Sequence, residues 1–183
     1  RGYVRTPVEI VGDGSSTDRD MPVAAGAILD AVHVSAGREH TCVVRRGGAV
    51  ACWGANDQSQ LGTTGGDRGT SMDVPGIAGA VRAAAGYAHT CALLADGQIL
   101  CWGDNDAGEL GRGSTFDRTA TAMPVSMVAD ATAVAAGRGF SCASRTGGAV
   151  ACWGDNSAGQ LGDDSTSPRS APVPVVLAAG AVD

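Results

Sequence analysis

The chain contains no lysine; all 13 of its basic residues are arginines, set against 19 acids for a net charge of −6. A nucleic-acid binder carries a basic surplus gathered into a patch, so DNA and RNA recognition are excluded as readings. No run of about 18 uncharged apolar residues occurs, so no helical membrane span is expected. Aromatic residues are scarce at 4%. There is no Ser-His-Asp grouping, no phosphate-binding glycine loop leading into a helix and no set of metal ligands, so no enzyme activity and no cofactor are expected. Long helices are hard to place among 28 glycines and many β-branched residues. What remains, 44% hydrophobic and 17% charged, is the composition of a globular domain.

The abundant feature is repetition. Cys42, Cys91 and Cys142 are spaced by 49 and 51 residues, and Trp53, Trp102 and Trp153 by the same intervals. Three units align as SAGREHTCVVRRGGAVACWGANDQSQLG, AAGYAHTCALLADGQILCWGDNDAGELG and AAGRGFSCASRTGGAVACWGDNSAGQLG. GDGSSTDRDMPV near the N-terminus aligns with GDDSTSPRSAPV 150 residues later, with Tyr3 at the place of Trp153, so a partial unit precedes the three. The units are drawn as residues 1–34 (partial), 35–83, 84–134 and 135–183. Both ends are expected to be cut from a longer array. An open array leaves apolar faces at its ends, so self-association or further blades completing a ring are expected.

Within a unit, CALLADGQILC reads as a tight hairpin turning at Asp96-Gly97, with Gly47-Gly48 and Gly147-Gly148 as its equivalents. Glycine at the last loop position permits the positive φ that a three-residue hairpin loop needs. Pairing about residue 47 sets Cys42 opposite Cys52; Cys91 then faces Cys101, and Cys142 faces Cys152. Opposed residues of an antiparallel pair have Cα atoms roughly 4.5–5.5 Å apart, within disulfide reach. The cysteines are read as one cross-strand disulfide per unit, with free structural thiols and a metal site as the alternatives. Zinc wants four ligands; each unit offers two cysteines, and Phe140 stands in the third unit where His40 and His89 stand in the others. Disulfides would place the chain in an oxidising compartment: extracellular, periplasmic or cell-surface. Two further short apolar runs per unit give four strands in about 50 residues, an all-β architecture of four-stranded antiparallel propeller blades.

These residues resemble a known family. The series Gly86, His89, Thr90, Ala92, Leu93, Gly97, Ile99, Trp102, Gly103, Asn105, Gly108, Leu110 and Gly111, with Gln60 and Gln160 where Glu109 stands, is similar to the regulator of chromosome condensation repeat. The resemblance implies a β-propeller, usually of seven blades, recognising proteins through loops at one end. Members include a nucleotide-exchange factor for a small GTPase, a secreted β-lactamase inhibitor and bacterial surface proteins. The paired cysteines depart from the general pattern and look like a secreted, bacterial-type variant.

Residues present in every unit read as framework: Trp53, Trp102 and Trp153 as blade packing, His40 and His89 as hydrogen-bonding groups within the blade, Asn56, Asn105 and Asn156 as turn caps. Arg19, Arg68, Arg118 and Arg169 recur too, and read as braces between neighbouring loops or as a charged rim. Asp13–Asp20 invites a calcium reading, but lacks the EF-hand spacing and its final Glu, and polar turn chemistry is preferred. The residues that vary carry the recognition hypothesis. Arg38, Tyr87 and Arg138 fall on equivalent turns and are of types favoured at binding hot spots; Met72 and Phe116 are apolar residues on the long loops. The expected function is a non-enzymatic, secreted or cell-surface scaffold presenting loops to a protein or a glycan. A structural repeat of an extracellular array or adhesin is the alternative. An exchange factor is disfavoured, because a reducing cytosol would open the disulfides.

Overall fold

The computed structural model describes residues 12–15, 17, 20–21, 23–25 and 28–176. Among the described residues, twelve strands form three four-stranded antiparallel meanders. The first sheet is β1 (Ala31–Ala36), β2 (His40–Arg45), β3 (Val50–Gly54) and β4 (Arg68–Asp73). The second is β5 (Ala80–Ala85), β6 (His89–Leu94), β7 (Ile99–Gly103) and β8 (Thr119–Pro124), and the third is β9 (Ala131–Ala136), β10 (Phe140–Arg145), β11 (Val150–Gly154) and β12 (Arg169–Pro174). Repeat boundaries drawn at 35, 84 and 135 therefore fall inside β1, β5 and β9. The most alike residues begin late in the first strand, whereas the hydrogen-bonded sheet begins with that strand.

Each central hairpin closes as its composition requires. Arg45 donates its N–H to Ala49 and Gly48 donates to Arg45, leaving a three-residue loop with Gly48 at φ 80°. From the 45/49 pair the ladder alternates, so 43/51 exchanges hydrogen bonds and 42/52 does not. The non-bonded pairs are where strands approach most closely, and each cysteine pair sits on one. Cys42–Cys52, Cys91–Cys101 and Cys142–Cys152 are disulfides with Cα atoms 4.1 Å apart, slightly nearer than expected.

The strands β2, β3, β6 and β7 are almost entirely buried. Both faces of each hairpin are covered, β6–β7 by a sheet on either side and β2–β3 by the second sheet and by Ala25 and Ile28, so these strands carry continuous apolar runs instead of alternation. Cys42, Val44, Val50, Cys52, Leu61, Val74 and Ile77 of the first unit pack against Ala80, Ala83, Ala92 and Trp102 of the second. Cys91, Leu93, Ile99, Cys101, Leu110, Val125 and Val128 repeat the arrangement against Ala131, Ala143 and Trp153. Val43, Ala51 and Trp53 meet Ala25 and Ile28 of the preceding partial unit. The first strands β1, β5 and β9 are neighbours and lie on the inner side of the array. Side chains of β1 cap the free edge of β5: Ser35 Oγ accepts from Ala85 N at 2.9 Å and His33 Nδ1 from Ala83 N at 3.4 Å. One end of the array, called upper here, carries the short turns before β2, β6 and β10 and the long loops after β3, β7 and β11.

Candidate protein-binding face

The upper end is held by a hydrogen-bond network that crosses from sheet to sheet. His40 Nε2 lies 2.8 Å from Thr90 Oγ1 of the next unit. Thr90 donates to the backbone carbonyl of Gln60 at 2.8 Å, and Trp102 Nε1 donates to that same carbonyl at 2.9 Å. One unit along, His89 Nε2 lies 2.8 Å from Ser141 Oγ, and Ser141 Oγ and Trp153 Nε1 both donate to the carbonyl of Glu109, at 3.1 and 2.8 Å. The single hydroxyl proton goes to the carbonyl, so the imidazole must be the donor, protonated on Nε2. Burial favours this neutral form: it pushes His40 down to about 4 and, with His40 nearby adding to it, His89 down to about 3. The tryptophans seat against glycines. A Cβ on Gly62 would come within 3.0 Å of Trp102 Nε1, and one on Gly111 within 2.8 Å of Trp153 Nε1.

Buried asparagines hold the turns that present these carbonyls. Asn56 Oδ1 accepts from Leu61 N, Asn105 Oδ1 from Leu110 N and Asn156 Oδ1 from Leu161 N. Their amides donate into the following loop, to Thr63 and Gly65, to Ser114 and to Ser165.

On this rigid base the variable turn residues converge. The Arg38 guanidinium lies 4.3 Å from the centroid of the Tyr87 ring and that of Arg138 lies 5.2 Å from it. Arg38 also donates to the Tyr87 hydroxyl and pairs with Glu39. Three successive units thus contribute to one Arg–Tyr–Arg stack on the surface, with Tyr87 36% exposed. Beneath it lies a cavity of about 230 Å³ lined by Tyr87, Ala88, Asp104, Ala107, Glu109, Arg138, Gly139 and Asp155. Glu109 is only 3% exposed; burial pushes its carboxyl up to about 7, and Asp104 and Asp106 push the same way. Asp104 is also raised, by burial and then by Asp106.

Other sequence-selected residues lie elsewhere. Phe116 is 79% exposed on a long loop, outside the stack. Met72, expected on a long loop, lies instead on β4 opposite Cys52, beside a groove of about 400 Å³ that includes Ala120 and Thr121 of the next sheet's outer strand. An outer strand is half-exposed, which gives a methionine there the polar sequence neighbours of a loop residue. Among the recurring arginines, Arg118 reaches the preceding unit, donating to the Asp57 carbonyl at 3.3 Å and to Gln58 Oε1 at 2.9 Å. Arg169 bonds Asp163 within its own loop at 2.6 Å; Arg19 lies outside the described residues. Asp13 accepts from Ser15 N and Oγ, the turn that Asp163 and Ser165 repeat. Asp18 of that stretch lies outside the described residues. Among the described residues, no three His, Cys, Asp or Glu side chains are placed to hold a metal ion. Glu109 was legible only as an exception to the Gln pattern; nothing in the sequence marked it as buried.

The chain matches the description "Regulator of chromosome condensation (RCC1) repeat" over residues 31–60, 81–109 and 131–160, and again over 96–144. No curated protein matches it significantly. Among solved structures it is similar to human WBSCR16, at 19% identity and a TM-score of 0.73, over 80% of this chain and 40% of that one. It is also similar to Prp20p from Saccharomyces cerevisiae, at 20% identity and a TM-score of 0.70, over 82% of this chain and 39% of that one. The chain thus spans about 40% of the length of these structures. Three sheets joined by a repeated His–hydroxyl–carbonyl–Trp network, matched repeat by repeat, place the chain in the regulator of chromosome condensation repeat family.

Proposed function

We propose that the chain is part of a non-catalytic, secreted or surface-exposed propeller that recognises a protein through its upper face. The observation that carries this is the Arg38–Tyr87–Arg138 stack. Side chains of the types that dominate binding hot spots are brought together from three units, exposed, and mounted on turns tied to one another by Arg38 N–Gly86 O and Tyr87 N–Gly137 O bonds. Ordering of the three before any partner arrives lowers the entropic cost of binding. Structures of the same fold support a protein partner over a glycan: Prp20p is described with its binding to Gsp1p and histones, and yeast RCC1 has been solved bound to Kap60. The three disulfides support an oxidising compartment and weigh against a cytosolic exchange factor.

Two measurements test the reading. Alkylation of the native protein, followed by intact mass, should label the six cysteines only after reduction. Labelling without reduction overturns the extracellular assignment. Immobilised chain should retain a partner from extracellular material, and Arg38→Ala/Tyr87→Ala/Arg138→Ala should lose it at unchanged melting temperature. Retention of the same partner by the triple variant removes the upper face as the site.

A further inference from the structure

Two of the three units open their Leu-Gly turn with an amide, Gln60 and Gln160, and the middle unit with an acid, Glu109. The turns are otherwise built alike. Gln60 Oε1 accepts from Gln58 N at 2.9 Å, Gln160 Oε1 from Ala158 N at 2.9 Å, and Glu109 Oε2 from Ala107 N at 2.8 Å. In the amide units the remaining atom, Nε2, donates to an aspartate of its own loop: Gln60 to Asp57 at 3.2 Å and Gln160 to Asp155 at 2.8 Å. The repeat alignment puts Asp106 at the place of Asp57 and Asp104 at the place of Asp155. With one Glu109 oxygen held by Ala107, the other takes the place of the amide nitrogen. The middle unit thus sets an acceptor under the influence of two carboxylates where its neighbours set a donor bonded to one.

A proton supplies the missing donor. We propose that Glu109 is a proton-operated latch in the seam between the second and third sheets. Neutral, its O–H donates to Asp104 or Asp106 as the glutamine amides do. Ionised, it has no hydrogen to donate and repels both, and the turn carrying it relaxes. That turn matters because the Glu109 carbonyl is the point to which Trp153 and Ser141 of the third sheet are fastened. The side chain also lines the cavity between the turns bearing Tyr87 and Arg138, so its state reaches the upper face.

The charged and titratable surroundings are mixed. Asp104 and Asp106 act on Glu109 as like charges from its own loop. Arg118 acts on Asp104 from further along that loop. Tyr87 lines the cavity from the turn before β6, and Arg138 and Asp155 line it from the third unit. His89, bonded to Ser141, is held neutral by burial and adds no charge. Burial is the main cause of the Glu109 shift; the backbone N–H groups of Glu109 and Ala107 favour the carboxylate, and Asp104 and Asp106 add to burial in favouring the acid form. Its folded value lies above the ordinary 4.5, so the neutral latch strengthens the fold below that ordinary value. The contribution is lost as pH rises through about 7.

Carbon-13 NMR of the glutamate carboxyls tests this directly, since the chain holds only Glu9, Glu39 and Glu109. Across about pH 5.5 to 8.5, one Cδ resonance, lost in Glu109→Gln, should titrate near neutrality. The Trp153 indole N–H should shift, and exchange faster with solvent, with the same midpoint. The Trp102 indole, on the Gln60 carbonyl, should stay still. Glu109→Gln carries the residue of both sister units, so it should fold and hold the Trp153 signal constant. A Glu109 carboxyl titrating in the ordinary carboxylate range overturns the latch. A neutral-range titration that leaves the Trp153 indole unmoved overturns its coupling to the seam. Neither readout uses a partner, so the latch stands or falls independently of the binding face.

Discussion

The two seams between the described sheets use the same parts. In each, a histidine donates to a hydroxyl, and the hydroxyl and an indole share one carbonyl, at distances that differ by no more than 0.3 Å. They differ in the hydroxyl residue, Thr90 against Ser141, and in the residue owning the carbonyl, Gln60 against Glu109. The comparison shows which chemistry the seam needs. A backbone carbonyl can be supplied by any residue, so the joint's own hydrogen bonds do not dictate the side chain at that position. The hydroxyl may be Thr or Ser because only its oxygen and proton are used. The histidine and tryptophan are not interchangeable in this way, since each contributes a ring of fixed shape and a donor at a fixed place.

Removing a tryptophan should break either seam alike. Trp102 and Trp153 are both fully buried, and truncation to Ala leaves a large cavity and an orphaned share of the carbonyl. A loss of about 3–5 kcal/mol is expected for each, read from urea unfolding midpoints. If one variant costs several-fold less than the other, the seams are not equivalent.

Acid should separate them. His40 and His89 are held far below the ordinary 6.5, so the unfolded chain binds protons there more readily than the folded one. Stability therefore falls as pH drops below about 6.5, by on the order of 3 kcal/mol per histidine once pH has passed the folded value. In the second seam Glu109 has the opposite sign between its ordinary 4.5 and about 7, gaining stability as pH falls, and partly offsets the loss at His89. Hydrogen exchange between pH 7 and 5 should then show the first seam opening before the second. His89→Phe, carrying the residue the third unit has at Phe140, should remove the acid loss at the second seam only. Simultaneous opening of both seams would show that Glu109 offsets nothing.

The hydroxyls give a smaller test. Thr90→Val keeps the shape but strands the His40 N–H and leaves the Gln60 carbonyl with the indole alone, for an expected cost of about 1–3 kcal/mol. Thr90→Ser should cost under about 1 kcal/mol, since Ser141 already performs the same task. Thermal unfolding of the pair decides whether the methyl or the hydroxyl of Thr90 matters.

Much of this architecture was written in local sequence. The Gly-Gly and Asp-Gly turns centred the hairpins, and the hairpins placed Cys42 opposite Cys52, because register follows from loop length. The seam network was only half legible. That His40, Thr90 and Trp102 are framework followed from their recurrence, but His40 was expected to bond within its own unit. It bonds across to the next, because sheets stack in space in a way that a single repeat cannot reveal. The stack of Arg38, Tyr87 and Arg138 was nominated from equivalent turns, yet only three-dimensional curvature brings the guanidiniums onto the ring. Met72 was misplaced because an outer strand, exposed on one edge, has the polar composition of a loop. Glu109 carried the weakest signal of all, a single acid in a column of amides, and its meaning depended on burial.

That same exception can be moved. Gln60→Glu puts a carboxyl at the first seam, where Asp57 is the acceptor of the native amide. Asp57 stands there without a second acid from the equivalent of Asp104, a place occupied by Ala55. The new carboxyl should therefore titrate above the ordinary glutamate value but below Glu109, because burial is shared and one repelling charge is missing. The Trp102 indole should acquire a pH response with that lower midpoint, while Trp153 keeps its own. At pH 8 the expected cost is about 1 kcal/mol, vanishing toward pH 5 as the carboxyl becomes neutral. If Trp102 stays silent although the new carboxyl titrates, the response at Trp153 belongs to the aspartate pair and not to the position in the turn.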